Sequence, residues 1–410
     1  MTYLRTNDQG GGHQAVEADV PQATEASGIM AAQWTDFCRR LEKAGHQLLG
    51  QEGVQHPLYQ AETMRWFMRE LQAAIGWEVD AADPDFPHFF IADATASGPV
   101  TAPNQDNTYY WARVTGSNSY RIVIDTKCIF DVLINVTDEK WTNYGDHALE
   151  EYTVRDDGLL EIILSPEPQP GNWLQLPATG TMLGLRVYYY DWTHDRAPVV
   201  TIERIGSELQ RPKPVDPATM ASRIDATAFW LETRPFQYPM FQTKAIDRFP
   251  PNSAPELLAF PGGGGPIQYG CGRYVLTDDE ALLIECDVPN ARYWSFHVYT
   301  VPWAAQIDVN NRLTSLNGTQ ARVDSDNKVR IVISNRDPGV QNWLDAGDLP
   351  TGQFFFRWIW SEDSPQPSTK VVPVKNVREH LPADTPVFTR EQRIEQIKMR
   401  RLHLASRFRY

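Results

Sequence analysis

The chain has 410 residues, 42% of them hydrophobic, with a formal net charge of −14 and a sequence pI near 5.1. That length can bury two ordinary cores or one large one, and the acidic balance argues against nucleic acid or an anionic membrane as partner, since both call for clustered Lys and Arg. No stretch approaches the roughly 20 apolar residues of a spanning helix, and residues 1–28 hold no apolar run of signal-peptide length, so a cytoplasmic protein is expected.

Residues 1–28, with Gly10-Gly11-Gly12, are too poor in apolar side chains to offset ordering entropy and read as a mobile arm. Over 29–98 the period changes. Trp34, Phe37, Cys38, Leu41 and Leu48 share one helical face, and Met64, Phe67, Met68, Leu71 and Ile75 share another, which predicts a helical hairpin followed by a proline-enforced extended connection. Residues 99–206 alternate as strands: Tyr109–Val114, Ser119–Ile124, Ile129–Val136, Glu151–Val154, Leu159–Leu164 and Leu183–Tyr190. Residues 207–256 break that pattern, with Asp216-Pro217 as cap and first turn of a helix that gives way to a long loop from Pro235 onward.

Residues 257–362 repeat the first β region. Val154 to Ser165 aligns with Val323 to Ser334, and Gly171-Asn172-Trp173-Leu174 aligns with Gln341-Asn342-Trp343-Leu344, at offsets of 169 to 170 residues; Leu185-Arg186-Val187-Tyr188 falls against Phe356-Arg357-Trp358-Ile359 at nearly the same spacing. A duplicated β-sandwich follows, with an inter-lobe cleft as the natural ligand site. Residues 363–410 read as a Pro-rich connection and a basic helix, opened by a Thr389/Gln392 capping box and clamped onto the acidic body or a second subunit.

Cys38, Cys128, Cys271 and Cys286 show no Cys-x-x-Cys pair and read as buried free thiols. The nine histidines show no metal-ligand spacing, so no metal and no cofactor is expected. The sequons at Asn135 and Asn317 carry no meaning in a reducing compartment. Gly262 to Gly265 lacks a following helix to bind a phosphate and reads as a rim or lid.

The sharpest stretch is Pro103-Asn104-Gln105-Asp106-Asn107-Thr108-Tyr109-Tyr110, a polar turn that opens an aromatic strand. It offers one carboxylate, two amides and two phenols, enough for acid and base roles when burial shifts the carboxyl, although an Asx-turn that merely opens a strand has the same residues. In Arg292 to Tyr299, Tyr293, Ser295, His297 and Tyr299 share one strand face, a polar row in which a histidine between serine and tyrosine can move protons. The catalytic candidates are therefore Asp106, Tyr109, His297 and Tyr299, and the substrate-binding candidates are Asn104, Asn107, Tyr110, His88, Tyr293, Trp303 and Arg312.

Pro103-Asn104-x-Asp106-Asn107-x-Tyr109 with Tyr120-Arg121-Ile122, followed in order by Arg292 to Phe296, Asn311-Arg312, Val329-Arg330-Ile331, Asp337-Pro338-Gly339 and Asn342-Trp343-Leu344, resembles bacterial proteins carrying the domain of unknown function 1214. The first run is also similar to the signature of domain 1254. The resemblance covers roughly residues 99 to 362 and implies an all-β, jelly-roll-like architecture, with no reaction attached. The expected fold is thus mainly β: duplicated jelly-roll-like β-sandwich lobes with an N-terminal helical hairpin, a helical linker and a C-terminal helix. The expected function is a cofactor-independent cytosolic enzyme of hydrolase, lyase or isomerase type, acting by acid-base chemistry on a small, largely apolar substrate between or within the lobes. A carbohydrate-active or carbohydrate-binding protein and a structural assembly of tandem jelly rolls are the alternatives. The expected partners are a small-molecule ligand and a second copy of the chain, met through the N-terminal arm or the basic helix.

Overall fold

The computed structural model describes residues 25–91, 102–254, 257 and 266–408. Residues 1–24 of the expected arm and the four-glycine run lie outside the described residues, and the last part of that arm, from Glu25, is helical. Helices α1 (Glu25–Leu49) and α2 (Pro57–Ile75) form the expected hairpin, turned at Gly53 with φ +87°. Helix α3 (Pro217–Ile246) is longer than the pattern suggests: its helical backbone runs on through Pro235 and Pro239, where a loop was expected. Each proline removes one N–H from the helical ladder, and packing of α3 against α1 and α2 compensates through Trp230 and Leu231, both buried among Ala44, Leu48, Trp66 and Phe67. Asp216 caps α3 by accepting the Thr219 N–H at 2.9 Å.

A short strand β1 (Phe90–Ile91) joins the first lobe, whose own strands are β2 (Asn107–Arg113), β3 (Tyr120–Asp125), β4 (Asp131–Thr137), β5 (Asn143–Ala148), β6 (Leu159–Ser165), β7 (Trp173–Gln175), β8 (Met182–Tyr188) and β9 (Val200–Arg204). They make two sheets, in the orders β1-β2-β8-β4-β5 and β7-β6-β3-β9. The second lobe has β10 (Ile267–Val275), β11 (Glu280–Asp287), β12 (Ala291–Tyr299), β13 (Ser315–Asn317), β14 (Lys328–Ser334), β15 (Trp343–Asp345), β16 (Thr351–Ser361) and β17 (Ser368–Pro373), in the orders β10-β16-β12-β13 and β15-β14-β11-β17. Moving β2 through β9 onto β10 through β17 reproduces both sheets strand for strand, including the parallel pairs β6/β7 and β14/β15. The duplication read from the sequence is therefore present in the topology; the strand orders do not establish a jelly roll.

Two expectations change in detail. No strand forms over 151–154, because Leu149–Glu151 makes a single tight turn in which Glu151 Oε1 accepts the Ala148 N–H at 2.7 Å. The second lobe also takes in β17, within the stretch expected to be a bare connection. The repeated tryptophans serve the shared fold: Trp173 Nε1 donates to Ser165 Oγ, and Trp343 Nε1 to Ser334 Oγ, each at 3.0 Å. Of the four thiols, Cys271 and Cys286 are buried while Cys38 and Cys128 are exposed, so burial holds for two.

Each lobe has its own apolar core between its two sheets, with Ile122, Ile134, Ile162 and Leu185 in the first and Ile284, Phe296, Ile331 and Trp358 in the second. Because strand side chains alternate, the opposite faces of β2, β4 and β8 and of β10, β12 and β16 are left to meet each other. Leu133, Tyr188, Tyr293 and Ile359 form the apolar part of that contact. The rest of the seam is polar. Helix α4 (Arg390–Phe408), begun by the expected Thr389/Gln392 box, runs along the outside and buries Arg393, Arg400, His403 and Arg407 against both lobes. Among the described residues no helix is long and apolar enough to cross a membrane.

Candidate functional site

The Pro103–Asn107 turn is buried at the seam, so each polar group in it needs a partner. Tyr299 donates to the Pro103 carbonyl at 2.7 Å, and Asn104 N–H donates to the Tyr109 phenol at 3.0 Å. Arg407 donates to the Gln105 carbonyl at 2.6 Å, and the Tyr189 amide donates to the Asp106 carbonyl at 2.8 Å. The Asp106 amide closes an Asx-turn onto Asn104 Oδ1 at 3.0 Å.

Asp106 is the hub. Its carboxylate, fully buried, accepts from Tyr293 OH at 2.5 Å, Trp192 Nε1 at 2.8 Å and Asn317 Nδ2 at 3.1 Å. Burial pushes its pKa up, against the Tyr293 hydrogen bond and the charges of Arg407 and Arg400. Tyr293 is held from its other side by Asn104 Oδ1 at 3.0 Å. The loop of Trp192, both lobes and α4 thus converge on one side chain.

Beside this hub lies the polar row of β12. Ser295 Oγ is 2.8 Å from His297 Nε2, and His297 Nδ1 has no hydrogen-bond partner among the described residues although the ring is fully buried. Burial, with Arg357 and Arg400 nearby, holds the imidazole well below its ordinary pKa, so it is neutral at pH 7. With its proton on Nε2 and donated to Ser295, Nδ1 presents a lone pair to the seam. Arg357 donates to Tyr299 OH at 3.3 Å and to the Ala102 carbonyl. Burial raises Tyr109 to about 12, which keeps it a phenol at neutral pH.

Of the sequence candidates, Asn104, Asp106, Tyr109, Tyr293, His297 and Tyr299 come together here. Asn107 sits at the start of β2, its buried Oδ1 without a hydrogen-bond partner among the described residues. Four others do not join. Tyr110 points the opposite way, into the first core against Phe89 at 6.2 Å. His88 lines a surface pocket with Phe89, Pro198 and Val200, whose one residue shared with the seam cluster is Arg407. Trp303 stacks on Trp66 at 4.6 Å and donates to Thr63 at 2.8 Å, which fixes α2 to the second lobe. Arg312 pairs with Asp345 and Asp348. The residues that sequence reading missed are Trp192, Asn317, Arg357, Arg400 and Arg407. The signal for Arg357 was present, since the internal repeat places it on Arg186.

The neutral histidines make a pH test. Below about 6.5 the unfolded chain protonates His297 and His403, whereas burial lowers both in the native chain. Stability should therefore fall with acidification, by about 1.4 kcal/mol for each histidine per pH unit well below 6.5. Raised carboxyls such as Asp106 and Glu70 oppose this nearer the carboxylate range. Urea unfolding of wild type and His297→Asn at pH 7.5 and 5.5 isolates the His297 share as the difference in slope, and equal slopes would refute it.

Fold and seam together define a class: two duplicated β-sandwich lobes joined face to face through a sequestered polar layer and strapped by a basic helix. The profile of the family described as "Protein of unknown function (DUF1214)" matches residues 130–190 and 273–362, which takes in most of the strands of both lobes. The likeness to domain 1254 stays with the motif alone. Among solved structures, a putative uncharacterized protein from Burkholderia cenocepacia is similar at 26% identity and a TM-score of 0.79, covering 85% of this chain and 99% of that one. A protein from Vibrio parahaemolyticus is 14% identical with a TM-score of 0.43, covering 74% and 97%. No curated protein matches.

Proposed function

We propose that the chain is an enzyme of hydrolase, lyase or isomerase type that carries out acid-base chemistry on a small molecule held in the seam. The carrying observation is the convergence of His297, Ser295, Tyr299 and Arg357 on one buried face, where His297 Nδ1 stands without a partner among the described residues. Buried polar atoms in native proteins are nearly always paired, and an orphan beside phenols and a guanidinium is a place for a ligand or a bound water. His297 Nδ1 is then the proton acceptor and Tyr299 the donor, its hydroxyl turning from the Pro103 carbonyl to the substrate while Arg357 donates to it. Asp106, with three donors on its carboxylate, orients Tyr293 and the turn and does not act as the base. A glycosidase needs two opposed carboxyls, and Asp106 is the one carboxylate among the cluster's described residues, so the geometry favours the first reading over the carbohydrate one.

The test is conversion of a defined library of esters, hydroxy acids and carbonyl compounds, followed by mass spectrometry, with wild type and His297→Gln. A compound consumed by wild type should be consumed about a hundredfold or more slowly by the variant. If wild type converts nothing while His297→Gln only lowers the melting temperature, the seam is a polar core that joins the lobes, and the assembly reading replaces this one.

A further inference from the structure

Beside the seam, a pocket of about 430 Å³ opens between α4, β13 and the loop that carries Trp192. Its buried floor is Trp192, Leu313, Leu316 and Arg400, and Phe388 and Met399 extend the apolar lining toward the mouth. Four glutamines line it as well, and the chain holds one end of each amide. Gln320 Oε1 accepts the Asn317 N–H at 3.2 Å, Gln392 Oε1 accepts the Thr389 N–H at 2.7 Å, and Gln396 Oε1 accepts from Arg393 Nη1. Gln341 Nε2 donates to the Gln320 carbonyl at 3.1 Å. What remains for a ligand is three amide NH₂ groups against one amide oxygen, none of them with a partner among the described residues.

Arg400 adds a positive charge to this lining. Its hydrogen bonds go to the Val309 carbonyl, Ser315 Oγ, Thr314 Oγ1 and Gln105 Oε1, every one a neutral acceptor. A guanidinium has five N–H groups, so one, on Nη1, is left over among the described residues. Asp106 and Asp308 act on Arg400 only across space, and Asp106 is already engaged by Tyr293, Trp192 and Asn317. A buried guanidinium with no anion bonded to it carries a large desolvation cost.

We infer that this pocket binds a small monocarboxylic acid with an apolar tail, its carboxylate met by Arg400 and the glutamine amides and its tail by Leu313, Leu316, Phe388 and Met399. Donors outnumber acceptors on the polar wall, as an oxygen-only head group requires, and an anion beside Arg400 offsets the buried charge. The mouth selects against a second negative charge. Asp191 and Glu395 stand exposed there, the latter only partly offset by Lys398 at 3.3 Å, and like charges brought together cost specificity's share of binding energy. The site goes beyond the enzyme reading and does not depend on it, since His297, Tyr299 and Arg357 are not among its lining residues. An occupant that touches α4, β13 and the Trp192 loop at once ties the helical strap to both lobes.

The experiment is calorimetric titration of the full chain with octanoate and phenylbutyrate, each beside its neutral amide, and with suberate as the diacid of octanoate's length. At least one monoacid should bind, about tenfold more tightly than its amide and than suberate. Gln392→Glu keeps an oxygen for the Thr389 N–H, so the capping box and the fold survive, yet it turns an amide donor at the pocket into a carboxylate. It should weaken the monoacid about tenfold and leave the neutral amide unchanged. Arg400→Lys keeps the charge and loses the planar fork, and should also weaken the monoacid about tenfold; where that variant fails to fold, Gln392→Glu decides the matter. An amide or suberate that binds as tightly as the monoacid, unchanged affinity in Gln392→Glu, or no heat from either monoacid overturns the inference.

Discussion

Replacing Asp106 by alanine should lower the unfolding free energy by about 3–5 kcal/mol, the range for removing one partner of a buried charged network. The substitution strands the Tyr293 hydroxyl, the Trp192 indole N–H and the Asn317 amide, all buried, and removes the anion that faces Arg400 and Arg407. Each unpaired donor costs about 1–3 kcal/mol, and relaxation of the seam keeps the sum below simple addition. Urea unfolding followed by tryptophan fluorescence measures this, with Trp192 as a local reporter. Asp106→Asn keeps an acceptor for two of the three donors and should cost less than the alanine change. A loss under 1 kcal/mol for Asp106→Ala would show that the hub does not hold the lobes together.

The second large effect belongs to α4. Arg400 lies buried with its guanidinium 4.9 Å from the Trp192 ring, donating to the Val309 carbonyl at 2.6 Å, to Ser315 Oγ at 3.0 Å and to Gln105 Oε1. Burial pulls its pKa down to about 9, which leaves it charged at neutrality. Arg400→Ala should cost about 3 kcal/mol, through stranded acceptors and lost packing of the long stem. Because Arg400 and Asp106 act on each other, the double variant should fall short of the sum by about 1–3 kcal/mol. Strict additivity in that cycle would separate the helix from the hub. Limited proteolysis supplies an independent readout: Arg400→Ala should expose the 381–389 connection to cleavage earlier than wild type.

The fold was readable where its signal is periodic. Alternation marked most of the longer strands, and the 169 to 170-residue offset marked the duplication. Short strands such as β5, β13 and β17 escaped because three to six residues carry too little pattern, and the prolines of α3 misled because tertiary packing outweighs the local penalty. For the seam, the turn at Asn104 to Tyr109 and the polar face of β12 were legible as dense polar clusters next to strands. Their partners were not. Asn317 read as an idle sequon, Trp192 as one tryptophan among 13, and Arg400 and Arg407 as part of a basic helix clamped onto the acidic body or a second subunit, with no partner named. Only strand register and the path of α4 bring them to Asp106, and register is a long-range property.

The duplicated seam faces carry a historical consequence. Tyr109 is paired with Arg186 in β2/β8 as Tyr269 is with Arg357 in β10/β16, so the two lobes turn the same face toward each other, the arrangement of an isologous interface. A chain of one lobe would meet its own copy in this way around a two-fold axis, and joining the copies end to end would make the dimer permanent at a fixed local concentration. Fusion also frees the two faces to differ. Leu133 pairs with Arg186 where Ser295 pairs with Arg357, and Asn135 stands on β4 where His297 stands on β12, so the histidine belongs to one half alone while both halves carry a polar row.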